Sequence, residues 1–203
     1  MQQLQWMIFA SFFLLWGLAA TAQPVNQTDS KGNKQGLWKK HYPSGQMRYK
    51  ATFKDDKLIG SYKRFFPNGK LQAHLHYKDP GGFATATFYD RKGNKVSEGF
   101  FIGQKKDSLW KYFNERGDLV MQEKKKKKKR DGKQKFYHLT GKVAEIKHFK
   151  QGKAHGYWKK FYGDGDIKAK SYFRNGDLNG WYISYYRTGE KESEGKYKNS
   201  LRD

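Results

Sequence analysis

Residues 156–165 read GYWKKFYGDG, and residues 180–189, which begin 24 positions later, read GWYISYYRTG. The same spacing runs through most of the chain, which can be cut into seven units of 24 residues without an insertion or deletion. The units begin at Gly36, Gly60, Ala84, Ser108, Gly132, Gly156 and Gly180, and the last one ends at Asp203. A fixed period of this length predicts a repeat protein in which each unit is one supersecondary element.

Within a unit, whose positions are numbered 1 to 24, the strongest signal is a glycine at position 10. These glycines are Gly45, Gly69, Gly93, Gly117, Gly141, Gly165 and Gly189. In the first two units the glycine closes Pro-Ser-Gly and Pro-Asn-Gly, which suit a type I turn followed by a residue with positive φ. We therefore predict that these glycines are structural turn residues.

Short runs rich in aromatic residues flank each of these turns. Positions 6 and 18 are aromatic in six of the seven units, and position 3 is Trp or Tyr in five. Two short strands and two turns per unit predict an all-β chain of 14 strands, which would extend for about 65 Å as one sheet. A single unit is too small to bury its own rings, so neighbouring units must stack them. The predicted fold is an elongated, single-layer antiparallel β-meander of seven hairpin repeats.

These units resemble the bacterial variant of the MORN repeat, roughly G-x-W-x-x-Y-x-x-x-G followed by x-Y-x-N-G-x-x-x-G. The resemblance covers residues 36–203 and is clearest in the first, second, sixth and seventh units. It weakens in the third, which has Ala84 and Ala86, and in the fourth and fifth. The resemblance implies an elongated β-meander that associates with proteins or membranes, and this variant is often classed with toxin–antitoxin systems as the antitoxin component.

The net charge restricts the class of partner. The chain has 42 Lys and Arg against 19 acidic residues, a formal charge of +23, and no cysteine. A field of this sign favours anionic partners. Disulfide and thiol chemistry are excluded. High charge with few aliphatic residues is also typical of disorder. The regular aromatic and glycine spacing argues instead for folded β-structure.

The amino terminus has the pattern of an export signal. Residues 6–22 are almost wholly apolar and end in Ala20-Thr21-Ala22, a small-x-small cleavage pattern, although no Lys or Arg precedes them. We expect residues 1–22 to be a signal peptide, 23–35 a linker and 36–203 the repeat array. An uncleaved membrane anchor is the alternative reading. After cleavage no transmembrane segment is expected, and the predicted location is periplasmic, envelope-associated or extracellular.

Basic residues recur at two positions of the unit and are the predicted anion- or partner-binding residues. Position 4 supplies Lys39, Lys63, Lys111, Lys135 and Lys159. Position 19 supplies Lys54, Lys78, Lys126, Lys150, Arg174 and Lys198. Because side chains alternate along a strand, position 4 should lie on the face opposite Trp38 and its equivalents. A basic stripe for a repetitive polyanion and a solvated face kept soluble by lysine are both open readings.

The segment from Lys124 to Arg130 is seven cations long and lies where the fourth unit should have an aromatic strand. Mutual repulsion predicts a frayed or bulging strand. The alternative is an electrostatic anchor on an anionic surface.

The remaining candidate chemistry is sparse. His74 and His76 could form half of a zinc site, but the sequence offers them no companion ligand, so no metal and no cofactor is predicted. Basic residues interleaved with aromatic ones also suit single-stranded nucleic acid. We do not expect physiological nucleic-acid binding in an exported chain, and we predict no catalytic residues.

The function predicted from the sequence is that of an exported, non-enzymatic scaffold that binds a protein or an anionic lipid or glycan of the envelope. The alternative is an antitoxin or immunity-type protein that neutralises a specific toxin. An enzyme with a site hidden in the repeats is the remaining competitor.

Overall fold

The computed structural model describes residues 24–202, so the predicted signal peptide lies outside the described residues. Every regular element in residues 24–202 is a β-strand. The strands are β1 (Gln27–Thr28), β2 (Lys34–His41), β3 (Met47–Lys54), β4 (Lys57–Phe65), β5 (Leu71–Tyr77), β6 (Phe83–Tyr89), β7 (Lys95–Ile102), β8 (Lys105–Phe113), β9 (Leu119–Lys126), β10 (Lys129–Tyr137), β11 (Val143–Lys150), β12 (Lys153–Ala154), β13 (Gly156–Phe161), β14 (Ile167–Arg174), β15 (Asp177–Leu178), β16 (Gly180–Tyr185), β17 (Lys191–Lys198) and β18 (Leu201–Arg202). Within the described range no helix is long and apolar enough to cross a bilayer.

The strands form one open antiparallel sheet in which neighbours in the chain pair, except that β13 pairs with β11 and β16 with β14, beyond the short strands β12 and β15. The predicted all-β meander of hairpin repeats is confirmed. The structure has 18 strands rather than 14, because β1 precedes the first unit and β12, β15 and β18 are two-residue segments. A bulge separates β12 from β13 and β15 from β16.

Position 10 closes the hairpin turn inside each unit. Its seven glycines all have positive φ, between 79° and 108°. In the first unit the Gly45 amide donates to the Tyr42 carbonyl at 2.9 Å, and the Tyr42 amide donates to the Gln46 carbonyl at 2.8 Å. Any other residue in place of Gly45 would have to keep its backbone in the left-handed region, which costs most L-residues about 1–2 kcal/mol.

A two-residue bulge separates most neighbouring units. On β3, Ala51 pairs with Tyr62 but the next residue pairs with Ile59, so Gly60 and Ser61 have no partner on β3. Gly60 accordingly has a φ of +56°. The junction between the second and third units has no bulge: β5 and β6 pair without a register shift, up to Tyr77 opposite Ala84. The alanine at position 1 of the third unit therefore fits its ordinary extended backbone.

Hydrogen bonds between units join both edges of the meander. At the turns between units, a backbone amide at or near position 21 donates to the carbonyl at position 23 of the preceding unit. For example, the Gly176 amide donates to the Ala154 carbonyl at 2.9 Å. At the opposite edge, the Tyr42 hydroxyl donates to the Phe65 carbonyl at 2.8 Å, and the Tyr162 hydroxyl to the Tyr185 carbonyl at 2.7 Å. Since each unit is tied to its neighbour at both ends, the units stack as a continuous solenoid-like sheet.

The cross-strand register sorts the side chains onto two faces. Positions 1, 3 and 5 of the first strand share a face with positions 14, 16 and 18 of the second, as in the pairs Trp38–Ala51 and Lys40–Tyr49. We call this the aromatic face. Its buried residues are Ala51, Ala73, Ala84, Ala86, Ser97, Trp110, Glu123, Gln134, Phe149, Ala169 and Ser184. Positions 2, 4 and 6 share the other face with positions 15, 17 and 19, and we call it the lysine face.

Rings from successive units pack on the aromatic face, as the sequence predicted. The Trp158 ring lies 6.0 Å from Phe149 of the preceding unit and 4.0 Å from Phe173 of its own unit. Trp110 is fully buried, with its ring centroid 5.3 Å from that of Phe101, and a Cβ on Gly99 would clash with the Trp110 ring. Small residues therefore make room for the rings that lie over them, which gives a one-layer sheet a core of its own.

The segment predicted as a linker contributes to the first edge of the sheet. Gln27 and Thr28 pair with β2, and the Asn26 side-chain oxygen accepts the Lys39 amide at 2.8 Å. At the other end, β18 pairs with the last two residues of β17. Short segments thus cover part of each outer strand.

Candidate binding face

The fourth-position lysines lie together in one row across the lysine face. The register pairs Lys39 with Lys50 and Lys50 with Lys63, and the same row continues strand by strand to the last unit. In order, the row is Lys39, Lys50, Lys63, His74, Thr87, Glu98, Lys111, Gln122, Lys135, Ile146, Lys159, Lys170, Ile183 and Glu194. Adjacent strands are about 4.8 Å apart, so an extended partner lying across the strands would meet a closely spaced series of these side chains.

Sequence reasoning missed Lys50 and Lys170, which occupy position 15 and complete this row. Their pairing with the fourth-position lysines follows from the turn register inside each unit and the bulge between units. Alternation along the second strand could have placed position 15 on the same face as position 19. It could not have shown that position 15 lies directly beside position 4.

The nineteenth-position residues form a second, more exposed row. They end the second strand of their units, four residues beyond position 15, and therefore lie on the same face about 13 Å from the first row. Lys54, Lys78, Lys126, Lys150, Arg174 and Lys198 are all exposed. The two predicted sets of cations are thus parallel rows on one surface, and the third unit interrupts the second row with Ile102.

Glu98 interrupts the first row in the same unit. Its carboxylate lies 3.0 Å from Lys95 and 3.3 Å from Lys111. Burial works to raise the pKa of Glu98, but hydrogen bonds and charge from the two lysines outweigh it and lower the pKa below its ordinary value. This glutamate stays ionised and neutralises its neighbours, so the basic surface is divided at the third unit.

The fourth to sixth units present the densest positive surface. At the six lysine-face positions of these units the sequence has no Asp or Glu. Their cations are Lys111, Lys124, Lys126, Lys133, Lys135, Lys150, Lys159, Lys170 and Arg174. Of these, Lys111 at the border of the surface is paired with Glu98 of the third unit. The excess of cations attracts anionic partners over about one Debye length, or ~8 Å at physiological salt.

The run from Lys124 to Arg130 was expected to form a frayed or bulging strand; it is paired rather than frayed, and a register shift follows it between Arg130 and Gln134. It forms the end of β9, a two-residue turn at Lys127 and Lys128, and the start of β10. Lys125 points to the aromatic face and forms an ion pair with the buried Glu123 at 3.1 Å, and the Arg130 guanidinium lies 4.0 Å from the Phe149 ring. Alternation and the turn separate the charges, so neighbours in sequence do not share one face.

Glu123 organises the buried polar group beneath this run. It accepts a hydrogen bond from the Tyr112 hydroxyl at 2.6 Å. Burial and this bond to a carboxylate raise the pKa of Tyr112 well above its usual value. Burial and the charge of Lys125 lower the pKa of Lys106, which lies over the Trp110 ring at 3.8 Å. Glu123 thus has its hydrogen-bond and ion-pair partners on the aromatic face, and its charge does not reach the lysine face of this unit.

The histidines do not converge on a metal site. Within residues 24–202, no three His, Asp, Glu or Cys residues are grouped so that they could hold a metal ion. His74 and His76 share the lysine face, and the Ser61 hydroxyl lies 3.1 Å from His74 Nε2. Burial, followed by the charges of Lys63 and His76, lowers the pKa of His74. The row neighbours of His74 are Lys63 and Thr87.

The open stacked hairpins and the two-faced register define the protein as a β-repeat scaffold. Four segments match the family described as the MORN repeat variant: residues 34–55, 58–79, 130–151 and 154–175. Each begins at position 23 of the predicted register, so the four matched segments are in phase with the 24-residue period. The fifth unit is among these matches although its resemblance looked weak from the sequence.

Comparison with other proteins adds little to this assignment. None of the curated proteins matches the chain. The chain is similar to part of the crystal structure of TarM, with 16% identity and a TM-score of 0.35 over 46% of this chain and 20% of the other. It is also similar to part of TcdB2-TccC3, with 11% identity and a TM-score of 0.23 over 86% of this chain and 13% of the other. The chain thus spans a fifth or less of the length of these structures.

Proposed function

We propose that the protein is an exported, non-enzymatic scaffold whose lysine face binds a protein or an anionic partner in the cell envelope. The observation that carries the proposal is the row register, which places Lys135, Lys159 and Lys170 on one surface whose lysine-face positions in the fifth and sixth units hold no acid. The apolar residues 6–22 and their small-x-small ending support export.

The shape of the sheet supports binding rather than catalysis. A single layer has its packed side chains on the aromatic face, where rings cover Ala, Gly and Ser. The lysine face is open to solvent, and the Ser61 hydroxyl and His74 imidazole that meet on it lie in contact with water rather than in a water-excluding site. Extended association across many strands suits this surface better than the enclosure of a small substrate.

A charge-matched pair of variants tests the proposal. Replacing Lys111, Lys135 and Lys159 with Gln removes three charges from the lysine face. Replacing Lys40, Arg64 and Lys160 with Gln removes three charges from the aromatic face, at position 5 of the first, second and sixth units. The first variant should bind polyaspartate about tenfold more weakly, since three contacts of about 0.5 kcal/mol each are lost. The second should stay within about twofold of the wild type.

The measurement is a titration at low ionic strength, repeated at higher salt, with circular dichroism to confirm that both variants are folded. Equal losses in the two variants would mean that net charge alone drives binding and would refute a dedicated face. Affinity purification from the native envelope then identifies the partner. Retention of one stoichiometric protein at high salt would favour the antitoxin or immunity-type alternative over the general scaffold.

A further inference from the structure

Three aromatic residues of the last two units lie on the lysine face, where the repeat does not need them. They are Tyr157 and Trp181 at position 2 and Tyr172 at position 17. In the other units position 2 is Leu37, Ser61, Thr85, Leu109 and Lys133. In the other units position 17 is Thr52, His76, Phe100, Lys124, His148 and Lys196. The comparison within the chain shows that the fold forms without Tyr or Trp at these positions, Phe100 being the other benzene ring among them.

The three rings line one open groove of about 520 Å³ that also includes Lys170 and Asn179. Tyr157 pairs with Tyr172 across β13 and β14, and their rings meet edge to face with centroids 5.1 Å apart. Tyr157 is 58% exposed and Trp181 is 52% exposed. Much of the ring surface is therefore exposed to solvent. A ligand that enters the groove would contact it.

Packing of the repeats does not account for this exposure. In the same two units, the stack formed by Trp158 and Phe173 lies on the aromatic face, with centroids 4.0 Å apart. A buried aromatic side chain contributes roughly 1.5–3 kcal/mol through the area that it removes from water. Tyr157 and Trp181 contribute much less than this to stability, because more than half of each side chain stays exposed. A cluster of exposed rings with a few polar groups around it is typical of a binding site.

Cations surround the groove. Lys170 lies between Lys159 and Ile183 in the first basic row, Arg174 lies in the second row, and Lys196 pairs with Trp181 across β16 and β17. The nearest acid in the row is Glu194, which forms an ion pair with Lys191 at 2.7 Å. The groove is thus an aromatic site within a positively charged surface.

We propose that this groove is a subsite for a sugar ring of an acidic polysaccharide. The inference rests on the proposed function and names the class of its partner. The C–H face of a sugar packs on exposed Tyr and Trp rings, Asn179 can hydrogen-bond its hydroxyl groups, and Lys159, Lys170 and Arg174 attract its acid groups. An anionic polymer without rings would use the cations but would gain nothing from the aromatic side chains.

The distribution of rings distinguishes this ligand from single-stranded nucleic acid. A nucleic-acid strand is held by aromatic platforms that follow one another along the basic track. Here the exposed rings are concentrated at one end, whereas the basic rows extend through the fourth and fifth units, where positions 2 and 17 are Leu109, Lys124, Lys133 and His148. A single ring-binding subsite beside a longer charged track fits this arrangement.

The test uses the full chain, polygalacturonate as the acidic polysaccharide, polyaspartate as the ringless polyanion, and a poly-dT oligonucleotide, titrated by calorimetry at about 0.1 M salt. The groove variant carries Tyr157→Ser and Trp181→Leu, which restore residue types found at position 2 of other units. The control is Tyr186→Ala, because Tyr186 is 52% exposed but lies at a hairpin end outside the groove. Lys170→Gln is the charge variant.

The groove variant should bind polygalacturonate at least about tenfold more weakly, as expected when two stacking contacts are removed, and should bind polyaspartate within about twofold of the wild type. Tyr186→Ala should behave as the wild type, and Lys170→Gln should weaken both ligands. The inference is overturned if the wild type does not prefer polygalacturonate to polyaspartate, or if the groove variant loses both equally. A larger aromatic-dependent loss for poly-dT would assign the groove to nucleic acid instead. Failure of the wild type to bind any of the three polyanions would refute the anion-binding role of the lysine face, on which this inference rests.

Discussion

The two faces of this sheet arise from the same 24-residue unit and yet obey different rules. On the aromatic face, Trp110 is 0% exposed and lies over Gly99, so neither residue can change size without affecting the other. On the lysine face, Lys39, Lys50 and Lys63 stand side by side although like charges repel. The comparison shows that one face supplies the packing that holds the repeats together. The lysine face carries a pattern of charges that contributes nothing to that packing.

The largest expected effect contrasts two tryptophans. Trp110→Ala should lower the free energy of unfolding by about 3–5 kcal/mol, since it removes a fully buried ring from contact with Phe101 and leaves a cavity. Trp181→Ala, on the lysine face, should cost less than about 1 kcal/mol because its ring is half exposed. Urea denaturation followed by circular dichroism measures both. Similar losses for the two variants would show that the faces do not differ in this way.

The second prediction asks whether the lysine run costs stability through its charge or through its backbone. Lys127 and Lys128 have φ of 49° and 75°, whereas the equivalent turn two units later is Asn175-Gly176. Replacing the two lysines with Asn and Gly should stabilise the protein by about 1–2 kcal/mol, because Asn-Gly suits this turn.

The matched control is Lys124→Gln with Lys126→Gln, which removes the same charge from the neighbouring strand without altering the turn. It should change the thermal midpoint much less than the turn variant. An equal gain in the control would identify charge repulsion, rather than left-handed backbone, as the main cost of the run.

The third prediction concerns the hairpin ends, which belong to neither face. Tyr162→Phe removes the hydroxyl that donates to the Tyr185 carbonyl at 2.7 Å and should cost about 1 kcal/mol. Tyr186→Phe, at the same position of the last unit, should cost only a few tenths of a kcal/mol because this side chain is half exposed. Chemical denaturation of the two variants measures the difference. Equal stability would mean that the hydroxyl bridge between units contributes nothing.

The smallest effect is a pH dependence on the lysine face. Burial and the charges of Lys63 and His76 lower the pKa of His74 below 6.5, so the folded state binds a proton less readily than the unfolded state. Stability should therefore be unaffected above neutral pH and should fall as the pH drops through 6.5 toward the folded pKa. His74→Gln should flatten this fall in urea titrations at pH 7 and pH 5. His41→Gln, which changes an exposed histidine, should retain the wild-type slope.

Much of the fold could be predicted from the spacing of a few residues. Gly45 and its six equivalents give the period and the turn, and Phe149 and Trp158 give the inter-unit stack. The site was less accessible. Positions 4 and 19 were identified because basic residues recur there. Lys50 and Lys170 were missed, because their position in the first row depends on which residues the bulge between units leaves unpaired. The folded state of Lys124 to Arg130 was also missed, since Glu123 and Phe149 compensate two of its charges only after the strands pair.

The sequence by itself determined that this protein is a β-repeat with two alternating faces, because glycine conformation and the two-residue period of a strand are local properties. Only the tertiary structure decided that the lysines of positions 4 and 15 form one row and that Tyr157, Tyr172 and Trp181 surround one groove. Cross-strand register depends on bulges and on hydrogen bonds between units. Residues that lie far apart in the chain become neighbours only through that register.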